Sequence, residues 1–442
     1  MATRAQVADD ASAASGQRMM RAVYLTQWCA EGSVPDAVQF GEVPAPPAPV
    51  KREVLIGVKA SAINADDIAL CQNTAGGGWF FHARTPSAAK PVVVGMEYAG
   101  VVLSVGPQCK RFKVCACMRA RVDVCERALM YVSERGGGYA CMREISLSLS
   151  LSLSLSHARA RAHTHTHTHT PVSCIRECKV GDRVCGVQDL AMKKLPGTWA
   201  EQTIAPEEDI VPIPPEMSFV EAAAVCMGCL LSGDMFRRAR LSASGGRCLV
   251  LGASGGLGSV LMKLLRRQEG LFIAAVCSES NAARVRGLGA TLVVDYTSAP
   301  FEEQLANVDK FDVVFDLVGG SDTQQSAAPL LRRGGQFITA VGPWKYLGDR
   351  QLTGWEWTGW ACGLMGRMMK GCLPFAPYSY QMAGSMPPMK EGDFKAFAVD
   401  AEARGEIALE APFAEAPLRE ALRRVASRHP GGKVLMNLEL AK

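Results

Sequence analysis

Histidine is scarce in this chain of 442 residues. Only seven histidines occur, and His82 and His429 are the ones outside a single repetitive segment. A serine nucleophile needs a histidine base, and a zinc site of the usual kind draws on histidine and cysteine at fixed spacings. The composition therefore argues against a Ser/His hydrolase and against zinc catalysis.

Two further absences narrow the class of protein. No apolar stretch approaches the ~20 residues of a membrane span, and no basic stripe with interleaved aromatic residues accompanies the net charge of +5. We therefore expect no membrane span and no nucleic-acid partner. The 16 cysteines are not a disulfide framework: six lie in the repetitive segment and the rest are scattered, several in apolar runs, which favours a reducing compartment.

The chain begins with a segment rich in Ala and Ser, residues 1–20, which we predict to be a disordered leader. It contains Arg4 but also Asp9 and Asp10, whereas organelle-targeting peptides are poor in acidic residues. Organelle targeting stays open as an alternative. The sequence leaves the compartment as either cytoplasmic or mitochondrial.

Residues 115–178 differ from everything around them. Ser and Leu alternate over residues 146–156, and His and Thr alternate over residues 163–170. Dinucleotide repeats such as TCTCTC and CACACA encode these patterns, and such repeats are typical of non-coding DNA. Joining Lys113 to Val180 gives a plausible turn into a strand. We interpret the segment as a low-complexity insertion that is a translated intron, with a genuine surface-loop insertion as the alternative.

The most informative stretch is residues 247–265. A short apolar run predicts a buried strand over residues 248–251, a glycine-rich turn follows, and residues 260–265 predict a helix. This is the context that a dinucleotide-binding turn requires, because glycine lets the backbone approach a pyrophosphate and the helix start presents N–H groups to it. In the G-x-G-x-x-G pattern Ala253 takes the first position, with Gly255 and Gly258 at the others.

The rest of the chain predicts an α/β protein with two kinds of domain. Residues 21–216, without the insertion, contain short apolar runs and many Gly and Pro, which indicate a compact β-domain. Residues 218–240 predict a helix that starts with a capping box at Ser218 and Glu221. Alternating strands and helices then predict a doubly wound parallel sheet over residues 217–378. The remaining residues, 379–442, contain an amphipathic helix at 415–427 and a closing strand.

Residues after the second strand of that sheet indicate which dinucleotide it binds. Ser278 stands where NAD-preferring domains have a carboxylate, and a hydroxyl tolerates the 2′-phosphate of NADPH. Arg284, in the next helix, would add positive charge. Glu279 argues against NADPH if it points inward; the alternative is a solvated acid at the start of the helix. Tyr296 is a candidate for a contact with adenosine, with a surface tyrosine as the alternative. The pattern favours NADPH.

Residues 95–97, Gly-Met-Glu, are a candidate zinc motif. A zinc dehydrogenase would place histidine beside the acid, but Met96 occupies that position and a thioether is no ordinary zinc ligand. Cys226 and Cys229 have CxxC spacing but lie in an apolar helix, so we predict that they are core residues. We expect no metal.

These motifs resemble the zinc-lacking medium-chain dehydrogenase/reductases, in particular the quinone oxidoreductase or zeta-crystallin-like group. The resemblance implies a GroES-like β-domain, a Rossmann domain and a C-terminal return to the first domain. The motifs that carry it are residues 64–67, 95–97, 100–102, 180–184, 252–258, 276–278, 288–296, 311–321 and 432–434.

The resemblance also implies functional residues. Asn64 would lie at the nicotinamide end. The implied NADPH contacts are Ser254, Gly255, Gly256, Leu257, Ser278, Tyr296, Leu317, Ala340, Gly431, Gly432 and Lys433. The chain departs from the family on the substrate side, where Cys71, Cys226, Leu231 and Leu317 replace the family's arginine, proline, threonine and asparagine.

Three functions stay open at this point. The first is NADPH-dependent hydride transfer, independent of zinc, to a small-molecule quinone or α,β-unsaturated carbonyl, by a protein that the resemblance implies is a homodimer. The second is an NADPH-binding sensor or interaction protein with little turnover, for which the Trp-rich residues 355–360 would be a contact surface. The third is a gene product that does not fold.

Overall fold

A computed structural model describes most of the chain outside residues 110–178. The described residues are 18–30, 32–73, 85–109, 179–188, 195–241, 245–343, 354–371, 373, 375–383, 407–427 and 430–440. The predicted insertion and residues 1–17 of the predicted leader therefore lie outside the described residues, as do His82 and His429, whereas Met19 and Met20 at the end of the predicted leader belong to the strand Met19–Leu25. Both interpretations stay predictions.

Strands from the first half and the C-terminus build two sheets. A three-stranded sheet has the order β2-β1-β4, and a mixed seven-stranded sheet contains β3 and β5–β8 with the C-terminal strands β15 and β16. The bounds are β1 Met19–Leu25, β2 Gln39–Pro44, β3 Glu53–Ile63, β4 Val92–Val93, β5 Glu97–Val105, β6 Arg183–Val187, β7 Gln202–Pro206, β8 Ile210–Pro212, β15 Ile407–Pro412 and β16 Lys433–Asn437. The last strand, β16, lies antiparallel to β3, with Val434 opposite Ile63.

A third sheet, of six strands, has the order β11-β10-β9-β12-β13-β14. All its pairs are parallel, and the order reverses beside β9, as in a doubly wound nucleotide-binding sheet. The bounds are β9 Gly246–Leu251, β10 Leu271–Cys277, β11 Leu292–Asp295, β12 Phe311–Asp316, β13 Leu331–Thr339 and β14 Tyr378–Met382. The predicted α/β class with a parallel doubly wound sheet is thus confirmed. The sheet extends past residue 378, where the sequence placed the limit of this domain.

Helices pack on these sheets. Their bounds are α1 Val34–Ala37, α2 Ala65–Cys71, α3 Phe219–Arg238, α4 Gly256–Leu265, α5 Ala282–Gly287, α6 Phe301–Gln304, α7 Ser321–Ala327, α8 Gly354–Gly371 and α9 Glu415–Ala426. The amphipathic pattern of α9 places Leu418, Leu422 and Val425 in the core around Trp199. Each such buried aliphatic side chain contributes about 1.5–3 kcal/mol.

Helix α3 joins the two parts of the fold. Its predicted capping box is present: Ser218 Oγ accepts the N–H of Glu221 at 3.1 Å, and the carboxylate of Glu221 accepts the N–H of Ser218 at 2.8 Å.

Among the described helices α3 alone is long and apolar enough to cross a membrane, but 78% of its most apolar stretch is buried in the fold. Cys226 and Cys229 lie in this buried core, as predicted.

Two local predictions were wrong. Helix α4 begins at Gly256 rather than near residue 260, because the glycines of the turn already adopt the first helical turn. The sequence predicts that Gly334 and Gly335 separate a helix near residues 330–331 from a strand at 337–339, but both glycines lie inside β13, beside a register shift in its pairing with β12. The apolar, Trp-bearing residues 354–369 predict a buried helix or an interface; helix α8 forms there, and Trp355 is 88% exposed.

Candidate functional site

The glycine-rich turn connects β9 to α4 at the carboxyl edge of the parallel sheet. Gly252 adopts a φ of +80°, which favours glycine, and Gly255 caps the helix. A methyl group on Gly258 would lie 2.2 Å from the oxygen of Gly252, so only glycine fits this position. Gly255 is exposed, and the first N–H groups of a helix have no acceptor within it. The turn can therefore receive an anion such as a pyrophosphate.

Neighbouring elements hold the turn from two sides. The backbone oxygen of Leu257 accepts the hydroxyl of Ser232, on α3, at 2.9 Å. On the other side the guanidinium of Arg284, on α5, donates to the backbone oxygen of Ser254. Ser254 and Leu257 are both half-buried. The backbone of the turn is thus fixed before any ligand binds.

Polar side chains gather where β10 ends. Asn281 Nδ2 donates to Ser278 Oγ at 2.9 Å, Ser278 Oγ lies 3.0 Å from Ser280 Oγ, and Arg284 also donates to Asn281 Oδ1 at 3.1 Å. Glu279 is exposed to solvent, and its carboxylate is therefore free to point away from a ligand. Hydroxyl, amide and guanidinium donors in this number suit a phosphate.

Asp295 and Tyr296 lie beside that cluster, at the end of β11. Asp295 Oδ1 accepts the hydroxyl of Thr297 at 2.6 Å and the N–H of Glu279 at 3.0 Å. Hydrogen bonding, chiefly from the Thr297 hydroxyl, lowers the pKa of Asp295. Tyr296 is 52% exposed, and its N–H donates to the oxygen of Cys277 at 3.2 Å. An exposed ring at this point is available to cover a bound ligand.

Leu317 and Ala340 border the turn from the other half of the sheet. The N–H of Leu317 donates to Leu251 at 3.2 Å, and the N–H of Ala340 donates to Asp316 at 3.0 Å. Asp316 Oδ1 accepts the N–H groups of Val318 and Gly319. Burial raises the pKa of the Asp316 carboxyl. The structure thus places Leu317 and Ala340 at the same strand edge as the glycine-rich turn.

The remaining predicted residues meet in a buried polar cluster. Lys433 Nζ donates to Glu97 Oε2 at 2.5 Å and to Asn64 Oδ1 at 2.8 Å, and Asn64 Nδ2 donates to Glu97 Oε2 at 2.7 Å. The side chains of Lys433 and Glu97 are 7% and 0% exposed. Gly431 and Gly432, both with positive φ, form the turn that leads into Lys433.

Lys433 also connects this cluster to the glycine-rich turn. A methyl group on Gly256 would lie 3.7 Å from Cδ of Lys433, an ordinary contact distance. The alkyl part of the lysine therefore passes the start of α4, while its ammonium points at Glu97. The cluster and the turn form one continuous region of the fold.

Asp67 is buried next to the cluster. Its Oδ2 accepts the N–H of Asn64 at 2.8 Å, whereas Oδ1 has no hydrogen-bond partner among the described residues. Burial raises the pKa of Asp67 to about 8, and the nearby carboxylate of Glu97 adds to this rise. This carboxyl therefore keeps its proton at neutral pH.

The candidate zinc positions are buried core positions. Met96 is 7% exposed, and Cys226 and Cys229 are fully enclosed in α3. Burial raises the pKa of the Cys226 thiol well above its ordinary value, which disfavours the thiolate that binds metals. In the described part of the chain no group of three or more His, Cys, Asp and Glu side chains could hold a metal ion.

Sequence reasoning missed the partners that hold the site together. Glu97 was weighed only as part of a zinc motif, and its contacts to Lys433 and Asn64 join residues that lie 336 and 33 positions away in the chain. The sequence offered one signal: Glu97, the acid of the candidate zinc motif, is present although Met96 stands in place of the histidine beside it. The contact of Arg284 with the turn carbonyl gave no signal in the sequence.

A groove elsewhere on the parallel sheet is an alternative location for a ligand. It has a volume of about 570 Å³ and lies between α7 and α8, lined by residues that include Gln324, Arg367, Lys370 and Tyr378. Arg367 donates to Gln324, Ser321 and Gly363. We place the candidate site at the glycine-rich turn, because the start of α4 offers backbone N–H groups there and the carboxyl ends of the parallel strands meet there.

Comparison with known proteins gives two family matches. Residues 50–145 match the alcohol dehydrogenase GroES-like domain, and residues 288–436 match the zinc-binding dehydrogenase family. The quinone oxidoreductase from Coxiella burnetii has a similar fold, with a TM-score of 0.63 and 17% identity over 95% of this chain and 100% of that one.

Curated relatives match parts of the chain. The mitochondrial NAD(P)H oxidoreductase RTN4IP1 of Homo sapiens is 30% identical over 251 residues, which are 55% of this chain and 61% of the relative. The 2-methylene-furan-3-one reductase of Solanum lycopersicum is 34% identical over 174 residues, 38% of this chain and 42% of the relative. The chain thus spans less than two thirds of the length of these curated relatives.

Proposed function

We propose that this chain, which belongs to the medium-chain dehydrogenase/reductase superfamily, is an NADPH-dependent oxidoreductase. It reduces a quinone or an α,β-unsaturated carbonyl by hydride transfer, without zinc. The observation that carries the proposal is the glycine-rich turn. It exposes the start of α4 beside the hydroxyl and amide groups at the end of β10, which suit a phosphate.

The residues around the turn suit the pyrophosphate of a dinucleotide. A methyl group on Gly255 or Gly256 would enter space that the protein leaves almost open, with contacts no closer than 3.5 Å. The side chains of larger residues would fill the volume that a pyrophosphate needs, so glycine keeps the cradle clear. Ser254, Gly255, Gly256 and Leu257 would hold it, with Leu317 and Ala340 on the far side.

The donors after β10 would distinguish NADPH from NADH. Ser278 and Arg284 would donate to the 2′-phosphate, which NADH lacks, and Tyr296 would cover the adenosine. A carboxylate at position 278 would instead repel a phosphate, and the exposed Glu279 can turn away from it. Charge-assisted hydrogen bonds of this kind contribute about 1.5–3 kcal/mol each.

Asn64 and the Gly431, Gly432 and Lys433 turn would border the nicotinamide end. When bound, NADPH supplies a hydride from C4 of its nicotinamide to the substrate. Water or a nearby hydroxyl would deliver the proton. A wide, flat cleft would suit a quinone, whereas a narrow cleft with a donor at the carbonyl would suit an enone.

Cofactor titration followed by turnover tests the proposal. NADPH and NADH would be titrated by fluorescence into the full chain, and 1,2-naphthoquinone or an aliphatic enone would then be added. We expect tight NADPH binding, weaker NADH binding and cofactor oxidation with one of the two substrate classes. A folded protein that binds neither dinucleotide would overturn the proposal.

The outward face of α8 favours a second candidate function, an NADPH-binding sensor or interaction protein with little turnover. Trp355, Met365 and Met369 are 88%, 61% and 67% exposed, and they share one side of the helix. Such an apolar row is typical of a contact surface. Tight NADPH binding without oxidation of the cofactor by either substrate class would support this function over the reductase.

A homodimer is part of the proposal. Among the described strands β14 is at the edge of the parallel sheet, and it carries Tyr, Ser, Gln and Met but no charged residue or proline that would protect an open edge. We propose that two copies pair along β14. Light scattering coupled to size exclusion would give twice the chain mass if they do.

A further inference from the structure

Glu97 is a fully buried carboxylate whose two oxygens are both used. Oε2 accepts Lys433 Nζ at 2.5 Å and Asn64 Nδ2 at 2.7 Å, and Oε1 accepts the backbone N–H of Met227 at 2.5 Å. A buried charge is tolerated only when it is paired and hydrogen-bonded, and Glu97 meets both conditions. One carboxylate thus touches β16, the start of α2 and the middle of α3.

The contact to α3 is made in the interior of a helix. Met227 lies well inside Phe219–Arg238, where backbone N–H groups ordinarily serve the helix itself. Donation of this N–H to Glu97 fixes the position of α3 relative to β5. Since α3 also contacts the glycine-rich turn through Ser232, Glu97 is connected to that turn by a second route.

Asn64 and Lys433 are held in one orientation by this carboxylate. The side-chain oxygen of Asn64 accepts the ammonium of Lys433, so its NH₂ group must face Glu97, where it donates. The three contacts close a ring that leaves neither side chain free to rotate. Both Asn64 and Lys433 belong to the proposed cofactor site, whereas Glu97 is buried behind them.

We propose that Glu97 is a positioning residue for the cofactor site, which holds the Asn64 carboxamide and the Lys433 ammonium in register with the glycine-rich turn. This rests on the proposed NADPH-dependent function. Glu97 does not itself touch the cofactor. Its part is to keep two site residues, and the helix behind them, in a single arrangement.

Removal of the charge on Glu97 has a defined consequence. In Glu97→Gln the ammonium of Lys433 stays buried without its counter-charge, so its charged form becomes less favourable. The other titratable groups that face Lys433 are Asp66 and Asp67 on α2 and Cys226 on α3. Asp67 keeps its proton at neutral pH and burial holds Cys226 as a thiol, so neither replaces the Glu97 carboxylate there. Asp66 is exposed to solvent, which screens its charge.

The experiment compares E97Q, K433M and the double variant E97Q/K433M with the wild-type chain. NADPH fluorescence titration and quinone or enone turnover are measured between pH 6 and 8, below the pH at which Asp67 ionises, with thermal unfolding in the absence of cofactor. The surface pair of Arg21 and Glu201, at 2.8 Å and 51% and 37% exposed, provides the matched control E201Q.

We expect E97Q to lower turnover at least tenfold and to weaken NADPH binding progressively as the pH rises. The double variant should unfold at a higher temperature than E97Q and lose this pH dependence, because no buried cation remains. E201Q should match the wild type. Unchanged NADPH binding and turnover in E97Q would overturn the proposal, as would a loss of NADPH binding in E97Q that does not vary with pH.

The binding measurement separates this inference from the proposed function. A wild-type chain that binds NADPH but oxidises it with neither substrate class would contradict the reductase, and the pH dependence of NADPH binding in E97Q would still decide the role of Glu97. A wild-type chain that does not bind NADPH would contradict both.

Discussion

The guanidinium of Arg284 donates a hydrogen bond to the backbone oxygen of Ser254. A side chain from the helix after β10 thereby holds the turn after β9, and the same arginine reaches Asn281 beside Ser278. The two regions that would bind the pyrophosphate and the 2′-phosphate are connected through this one residue.

Replacement of Arg284 tests the choice of dinucleotide. In Arg284→Ala we expect the Kd for NADPH to rise about tenfold or more, because a charge-assisted contact worth about 1.5–3 kcal/mol is lost. The Kd for NADH should change much less. Arg286→Ala, on the exposed side of the same helix, is the control and should leave both constants unchanged. Equal weakening of both dinucleotides would show that Arg284 only supports the turn.

Two neighbouring glycines should respond differently to the same substitution. Gly256→Ala places its methyl group in ordinary contact with Lys433, so the chain should fold normally and lose NADPH affinity. Gly258→Ala places a methyl group 2.2 Å from the oxygen of Gly252, so this chain should be destabilised by several kcal/mol. Thermal unfolding and NADPH titration distinguish the two results. Full NADPH affinity in Gly256→Ala would place the pyrophosphate elsewhere.

Asp67 should make stability depend on pH. Its pKa is raised from 3.8 to about 8, chiefly by burial, so the folded chain keeps a proton that the unfolded chain releases. The contribution of Asp67 to the free energy of unfolding is therefore greatest below pH 4. It falls by up to about 1.4 kcal/mol per pH unit as the pH rises, and it levels off above pH 8.

Asp67→Asn removes this titration. We expect urea unfolding at pH 7 to give a free energy higher by up to about 4 kcal/mol than the wild type, with a smaller difference at pH 5. The carboxamide oxygen introduced by this substitution would still accept the N–H of Asn64, which keeps the start of α2 intact. A variant less stable than the wild type at both pH values would show that Asp67 is ionised in the folded chain.

Deletion of residues 114–179 should leave a folded, NADPH-binding chain. On either side of this segment β5 and β6 pair directly, with Val101 opposite Arg183, and the backbone oxygen of Asp182 accepts the N–H of Val102 at 2.9 Å. The pairing needs only a short turn, and a shorter loop reduces the entropy of closure by about 1–2 kcal/mol. Thermal unfolding and NADPH titration of the deleted chain provide the check, and aggregation or lost binding would contradict it. Transcript sequencing tests the intron interpretation separately.

The sequence predicted the architecture because its local signals agree with the tertiary fold. The capping box at Ser218, the amphipathic pattern of α9 and the apolar runs of β9, β10 and β12 all describe elements that form nearly where expected. The start of α4 escaped prediction because glycine has low helix propensity, and packing against Gly252 outweighs it. The domain limits and the assigned cofactor contacts stay predictions.

The site could be predicted from the sequence only in part, since its contacts join distant parts of the chain. The strand–turn–helix pattern indicated the region of Ser254 to Leu257, because every residue involved is local. The acid retained beside Met96 indicated that Glu97 has a role, but its meeting with Lys433 could not be predicted, because it depends on β16 pairing with β3.

The ring of Asn64, Glu97 and Lys433 has a consequence for biosynthesis. Lys433 follows Glu97 by 336 positions, so a ribosome must make the whole parallel sheet before the cation for Glu97 emerges. A product that stops before Lys433 would bury an unmatched carboxylate and lack the strand β16. The nucleotide site is therefore completed late in synthesis, and prematurely terminated chains would be exposed to proteolysis before they could sequester cofactor.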